Sequence, residues 1–165
     1  MRYPEAEVLV RRSLALAGSA DVSILWLHLG AVHRAEGRLA LARVETERGR
    51  HSRGVETKAS GIYYVLITET EGLFDLADGK TDQAVAELRS TLEVASQFYQ
   101  PSDPRLAEAQ FALGKALLAR QDAKEGVPML TSACAIFRAG FGDAHPETVA
   151  CGRHLAEARQ AAGLQ

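Results

Sequence analysis

Four short stretches of this chain align without gaps at a single spacing. Leu29-Gly30-Ala31-Val32, Glu71-Gly72-Leu73-Phe74, Leu113-Gly114-Lys115-Ala116 and Leu155-Ala156-Glu157-Ala158 put a small residue at 30, 72, 114 and 156, 42 residues apart each time. Three more series keep the same register: Gly37, Gly79, Gln121 and Gly163; Ala42, Ala84 and Gly126; Pro104 and Pro146. Self-similarity at a period of roughly 20–50 residues marks a stack of like units, none of which buries its apolar face alone.

The residue types indicate what the unit is. A small residue in the first series lets two helices approach closely. The glycine seven residues later suits a helix C-terminus, where the left-handed backbone is cheap for Gly. Ala or Gly in the third series gives a second close contact on the partner helix. Asp103-Pro104 reads as an N-cap followed by proline at the first helical position, and His145-Pro146-Glu147 as the same arrangement with a weaker cap. Each unit is therefore two antiparallel helices, A then B. The A helices are expected near 22–36, 62–78, 104–120 and 146–161, and the B helices near 4–17, 39–50, 81–98 and 123–139. Leu88, Leu92 and Val94-Ala95 recur at helical intervals, as do Leu106, Leu113, Leu117 and Leu118. The fold class is all-α, with about 7–8 helices by this count.

Two stretches cut against the pattern. Ile62-Tyr63-Tyr64-Val65-Leu66-Ile67 is a β-branched and aromatic run that alone suits a strand; the register makes it a helix. Glu47-Arg48-Gly49-Arg50-His51-Ser52-Arg53-Gly54 holds two glycines, each costing a helix about 1 kcal/mol. The B helix is expected to end early there, with a mobile loop after it.

Composition narrows the class. The chain has 165 residues, 47% of them hydrophobic, enough for a sizeable core. A formal net charge of -2 lacks the basic excess of a nucleic-acid binder. No apolar run reaches the roughly 20 residues that cross a bilayer, and the N-terminus lacks the apolar core of a signal peptide. The expectation is a cytoplasmic protein that contacts neither nucleic acid nor membrane. Cys134 and Cys151 lie on consecutive antiparallel helices, about equally far from the turn near Gly142. In such a compartment they are expected to be a reduced core pair rather than a disulfide.

Trp26-x2-Leu29-Gly30-x2-His33, followed by Gly37 and Ala42, resembles the tetratricopeptide repeat (TPR) signature, with His33 in place of the usual tyrosine. Leu113-Gly114-x2-Leu117 repeats the pattern, and Tyr3-Pro4-Glu5-Ala6-Glu7 resembles the start of a B helix in such repeats. The usual repeat is about 34 residues. The longer form here, with Gly142-Asp143-Ala144-His145-Pro146-Glu147-Thr148 before an A helix, is similar to the variant of kinesin light chains and many bacterial proteins. The resemblance implies a right-handed superhelical stack, a TPR-like α-solenoid. It would form one domain over 1–165: a partial repeat 1–20, repeats at about 21–61, 62–103 and 104–145, and a half-repeat 146–163.

It also implies a function: a scaffold or adaptor that holds a protein or peptide partner in a concave groove lined by A helices. In bacteria such arrays accompany kinase or regulator domains, which points to the docking part of a signalling or regulatory protein. By the family's geometry the groove positions are Leu27, Ala31 and Arg34; Glu69, Leu73 and Leu76; Phe111, Lys115 and Leu118; and Arg153, Glu157 and Gln160. Some repeats of this kind grip a peptide carboxylate with two asparagines. This chain has four lysines (Lys58, Lys80, Lys115 and Lys124) but no Asn, so that clamp cannot be assembled here. Residues 4–17 form a B helix with no A helix before it, leaving Val8, Leu9, Leu14 and Leu16 short of cover. That implies either a fragment of a longer array or a homodimer through the N-terminal hairpin.

The remaining chemistry is sparse. Arg48, Arg50, His51 and Arg53, with Lys58 nearby, lack interleaved aromatics and are flanked by Glu45, Glu47 and Glu56, so they read as a solvated segment. The histidines at 28, 33, 51, 145 and 154 show no His-x3-His pair and no zinc spacing with the cysteines. There is no nucleophile elbow, phosphate loop or His-Glu-x2-His motif. No metal, no cofactor and no catalysis are expected.

Overall fold

In a computed structural model, residues 3–17, 22–53 and 61–164 are described. They form eight helices and no strand: α1 (Tyr3–Leu16), α2 (Ser23–Ala35), α3 (Leu39–Arg53), α4 (Ile62–Ala77), α5 (Thr81–Phe98), α6 (Pro104–Ala119), α7 (Ala123–Phe141) and α8 (Pro146–Ala161). The alternation of A helices (α2, α4, α6, α8) with B helices (α1, α3, α5, α7) follows the register. The β-branched run 62–67 opens α4, so burial in a helical stack overrides its strand propensity.

The register is written into the backbone. Gly37, Gly79, Gln121 and Gly163 have φ of 76°, 78°, 70° and 70°. At each, the amide donates three residues back: Gly37 N to Arg34 O, Gly79 N to Leu76 O, Gln121 N to Leu118 O and Gly163 N to Gln160 O, at 3.0–3.2 Å. The next amide donates five back, to His33 O, Asp75 O, Leu117 O and Arg159 O, each at 2.8 Å. This double closure satisfies the last carbonyls of an A helix and turns the chain into the next element.

The small residues sit where helices touch. A Cβ on Gly72 would lie 2.6 Å from Leu88 Cγ, and one on Gly114 2.6 Å from Leu130 Cγ. One on Gly30 would lie 2.9 Å from Thr46 Oγ1, so the partners at 46, 88 and 130 keep the same spacing. Ala42 and Ala84 are fully buried. Asp103 caps α6 by accepting from Arg105 N at 2.9 Å, and His145 caps α8 by accepting from Glu147 N at 3.4 Å.

Packing divides the chain into two units, Met1–Thr70 and Glu71–Gln165, with the division inside α4. In the first, α1 packs on α2 and α2 on α3, and Leu27 meets Ile67 with Tyr63, Tyr64 and Leu66 around them. The uncovered side of α1 leaves Val8, Leu9 and Leu16 64–78% exposed. In the second unit, one cluster joins Ala84, Val85, Leu88, Ala112, Leu113, Ala116 and Leu117. Another joins Ala107, Ala133, Cys134, Phe137 and Cys151.

Two expectations are corrected. Helix α3 runs through Gly49 to Arg53, beyond the expected end at 50. Gly49 is buried against α2: a Cβ there would meet Leu27 Cδ2 at 2.6 Å and Ser23 O at 3.0 Å. The glycine is a close-approach residue and not a helix terminator; the loop expected to follow lies largely outside the described residues. Second, Cys134 and Cys151 form a disulfide rather than a reduced pair, with Cα atoms 5.5 Å apart. Equal distance from the Gly142 turn brings the two sulfurs face to face across α7 and α8.

Candidate functional site

The A-helix positions singled out from the sequence fall on single helix faces, because each triplet is spaced i, i+4, i+7. In the unit Glu71–Gln165, Phe111 of α6 is half-buried. Its ring meets Phe137 edge-on, centroids 5.9 Å apart, and the His154 ring lies 5.7 Å away. Lys115 Nζ lies over the Phe111 ring at 4.9 Å, a cation–π contact. His154 Nδ1 is 3.0 Å from Glu157 Oε2. Burial pushes the His154 imidazole below its usual range, against the opposing pull of Glu157. Phe111, Lys115 and Glu157 are thus linked through His154, which no spacing in the sequence singles out. Arg153 is exposed beside them and Leu118 is half-buried. Leu73 and Leu76 are half-buried and pack onto the core around Leu88 and Leu113.

In the unit Met1–Thr70 the selected residues are more enclosed. Leu27 is 3% exposed and belongs to the core, and Glu69 is 8% exposed. Arg34 reaches Glu69 Oε1 at 3.6 Å, and Ala31, one turn before Arg34, is half-buried. The basic segment lies on α3. There Arg48 stacks over Trp26 at 4.9 Å, while Arg50 and His51 lie 3.5 and 3.3 Å from Glu47. Lys58 is outside the described residues.

A second constellation was not legible in the sequence. His33, fully buried, shares its Nδ1 hydrogen with Glu45 Oε2 at 2.5 Å. Its Nε2 stands 3.2 Å from Glu7 Oε1 without the alignment of a hydrogen bond, and makes no other hydrogen bond among the described residues. Arg11 Nε lies 2.8 Å from Glu7, and Arg38 reaches Glu7 at 3.0 Å and Glu36 at 3.2 Å. The hydrogen bond from Arg11, with His33 close by, lowers the Glu7 carboxyl to about 2. These groups come from α1, α2 and α3. Only the helix packing unites them.

By fold, the chain is a stack of TPR-like helical hairpins. It is similar to two crystal structures of the nearly identical TPR-like repeats of a Podosopora anserina protein described as a kinesin light chain. Both share 20% identity. One, a form with a single substitution, aligns with a TM-score of 0.62 over 98% of this chain and 79% of that one. The other gives 0.60 over 98% and 80%. By sequence the chain matches no protein-family model and no curated protein. Among the described residues no helix is long and apolar enough to cross a membrane.

Proposed function

We propose that this chain is a non-catalytic binding module that receives a segment of another protein on its A-helix faces. The observation that carries this reading is the α6–α8 face of the unit Glu71–Gln165. There an aromatic ring, a cation and a carboxylate converge at a half-buried surface through Phe111, Lys115, His154 and Glu157. A partly desolvated aromatic flanked by charges of both signs suits a peptide with one apolar anchor and polar neighbours. Leu118 and Arg153 extend that face, and Leu73 and Leu76 supply apolar surface on α4. In the first unit Ala31 and Arg34 offer the corresponding face, with Leu27 and Glu69 buried behind it. The finer proposal is the docking part of a bacterial signalling or regulatory protein, built as one domain over 1–165 and working in the cytoplasm. The disulfide is compatible with that compartment, because Cys134 is 4% exposed and Cys151 fully buried, so a reductant reaches the bond only after local opening.

The test is affinity capture from a native lysate. Lys115→Glu, which reverses a partly exposed charge, and Phe111→Ala are expected to abolish capture while helicity is kept. Capture that both variants leave intact overturns the proposal.

One observation favours a second reading, self-association: the exposed Val8, Leu9 and Leu16 on α1. Sedimentation separates the two. A monomer at high micromolar concentration rules it out.

A further inference from the structure

The charges around His33 do not balance. Among the described ion pairs, Glu7, Glu36 and Glu45 bring three carboxylates within reach of two guanidiniums, Arg11 and Arg38. The cluster therefore has room for one more cationic group, and the place for it is the side of His33 facing Glu7. Glu45 holds the Nδ1 hydrogen, which orients the ring and leaves Nε2 to face Glu7. Nε2 is fully buried and makes no hydrogen bond among the described residues, with Glu7 Oε1 3.2 Å away. A carboxylate on one imidazole nitrogen with the other nitrogen turned toward further carboxylates is the arrangement that orients and strengthens a metal-ligating histidine.

We propose that His33 Nε2, Glu7 and Glu36 bind one first-row divalent metal ion, with Glu45 as the residue that positions the imidazole. Ligand atoms of the three lie within 4.8 Å of one another. The 3.2 Å between Nε2 and Glu7 Oε1 matches the edge, about 3.3 Å, of a tetrahedron whose metal–ligand bonds are about 2.0–2.1 Å. Glu36 completes the set with a short movement, since it lies at the end of α2 and its side chain is 17% exposed. One imidazole and two carboxylates suit zinc, cobalt or manganese better than calcium or magnesium, which take oxygen ligands. Arg38 is the built-in competitor. Its guanidinium spans Glu7 and Glu36, and at 44% exposure it swings away without opening the core.

The probe is cobalt(II) chloride, titrated into the full chain after chelation and dialysis and followed by visible absorption and thermal melting. The expected result is one equivalent bound, a d–d absorption band and a raised melting temperature. Zinc chloride is expected to displace the cobalt. Glu36→Gln should weaken binding at least about tenfold and Glu45→Gln by about tenfold, while Arg38→Gln should tighten it. His33→Gln should abolish it. Because that buried substitution can itself unfold α2, Glu36→Gln and Arg38→Gln decide the matter. Cobalt binding absent in both the natural chain and Arg38→Gln, or unchanged in Glu36→Gln, overturns the proposal and leaves the cluster as a structural ion network.

Discussion

At the scale of single residues, position 121 is the odd member of its series. The same left-handed turn ends four A helices, and three of them use glycine. Gln121 adopts φ 70° with a side chain attached. An L-residue in that conformation costs roughly 1–2 kcal/mol, partly offset because glycine gives up more freedom on folding, about 0.4–1 kcal/mol. Gln121→Gly should therefore stabilise the chain by up to about 1 kcal/mol. Gly79→Gln, the reverse change one repeat earlier, should destabilise it by a similar amount. Chemical denaturation of the two variants checks both signs. Two changes of the same sign would mean that local contacts, and not the backbone, decide these positions. The symmetry of the comparison matters, since both sites make the same pair of turn hydrogen bonds and a Cβ at Gly79 meets nothing within 4 Å.

At the scale of helices, the start of α6 shows how much one cap residue holds. Asp103 accepts from Arg105 N at 2.9 Å and binds the Arg105 guanidinium through both oxygens at 3.0 and 2.6 Å. That guanidinium also lies over the Tyr99 ring at 4.4 Å. Asp103→Ala loses cap and charge together and should cost about 1 kcal/mol. Asp103→Asn keeps a capping oxygen and should lose a few tenths, because Arg105 is largely exposed and its ion pair is screened. The pairing with Arg105 holds the Asp103 carboxyl below the usual aspartate range. A depressed folded-state value adds stability that is complete above that range and is lost as the pH falls through it. The melting difference between the natural chain and Asp103→Asn should thus be constant near neutrality and narrow below about pH 4. A difference that persists unchanged into acid would remove the charge from the explanation. This element was legible in advance because cap, proline and helix are contiguous. The same is true of every helix boundary set by the 42-residue series. Gly49 misled because a glycine that ends a helix and one that admits a neighbouring helix look alike until the neighbour is placed; here it is Leu27 of α2. The Glu7, His33 and Glu45 cluster was hidden for a related reason: its members are separated in sequence and follow no motif. Of the peptide-binding positions, the helix face was readable from spacing. That Leu27 and Glu69 are buried while Phe111 is half-open depends on which helices cover each face.

At the scale of the whole molecule, the question is how far one local tie is felt. In a stack of repeats each unit touches its neighbours and little else, so stability is close to a sum of unit and nearest-neighbour contributions. The disulfide between Cys134 and Cys151 offers a clean perturbation. It closes a segment with a sequence separation of 17 and ties α7 to α8 inside the Ala107–Phe137 cluster. Closing a loop of that length stabilises by about 3 kcal/mol in the chain-entropy account. Reduction should therefore raise amide exchange in α7 and α8 by up to about a hundredfold, since each 1.4 kcal/mol is a factor of ten. Helix α6, which packs on α7, should follow to a lesser degree. Helices α1 to α3 belong to the other unit and should exchange as before. Hydrogen-exchange mass spectrometry with and without a phosphine reductant reads all eight helices at once. Equal acceleration along the chain would show that it unfolds as one cooperative block and would refute nearest-neighbour additivity. No acceleration anywhere would restore the reduced-pair reading of the two cysteines. Acceleration confined to α6–α8 would mean that the α6–α8 binding face loosens without disturbing the His33 cluster, so partner capture and metal binding could be measured on one preparation as independent properties.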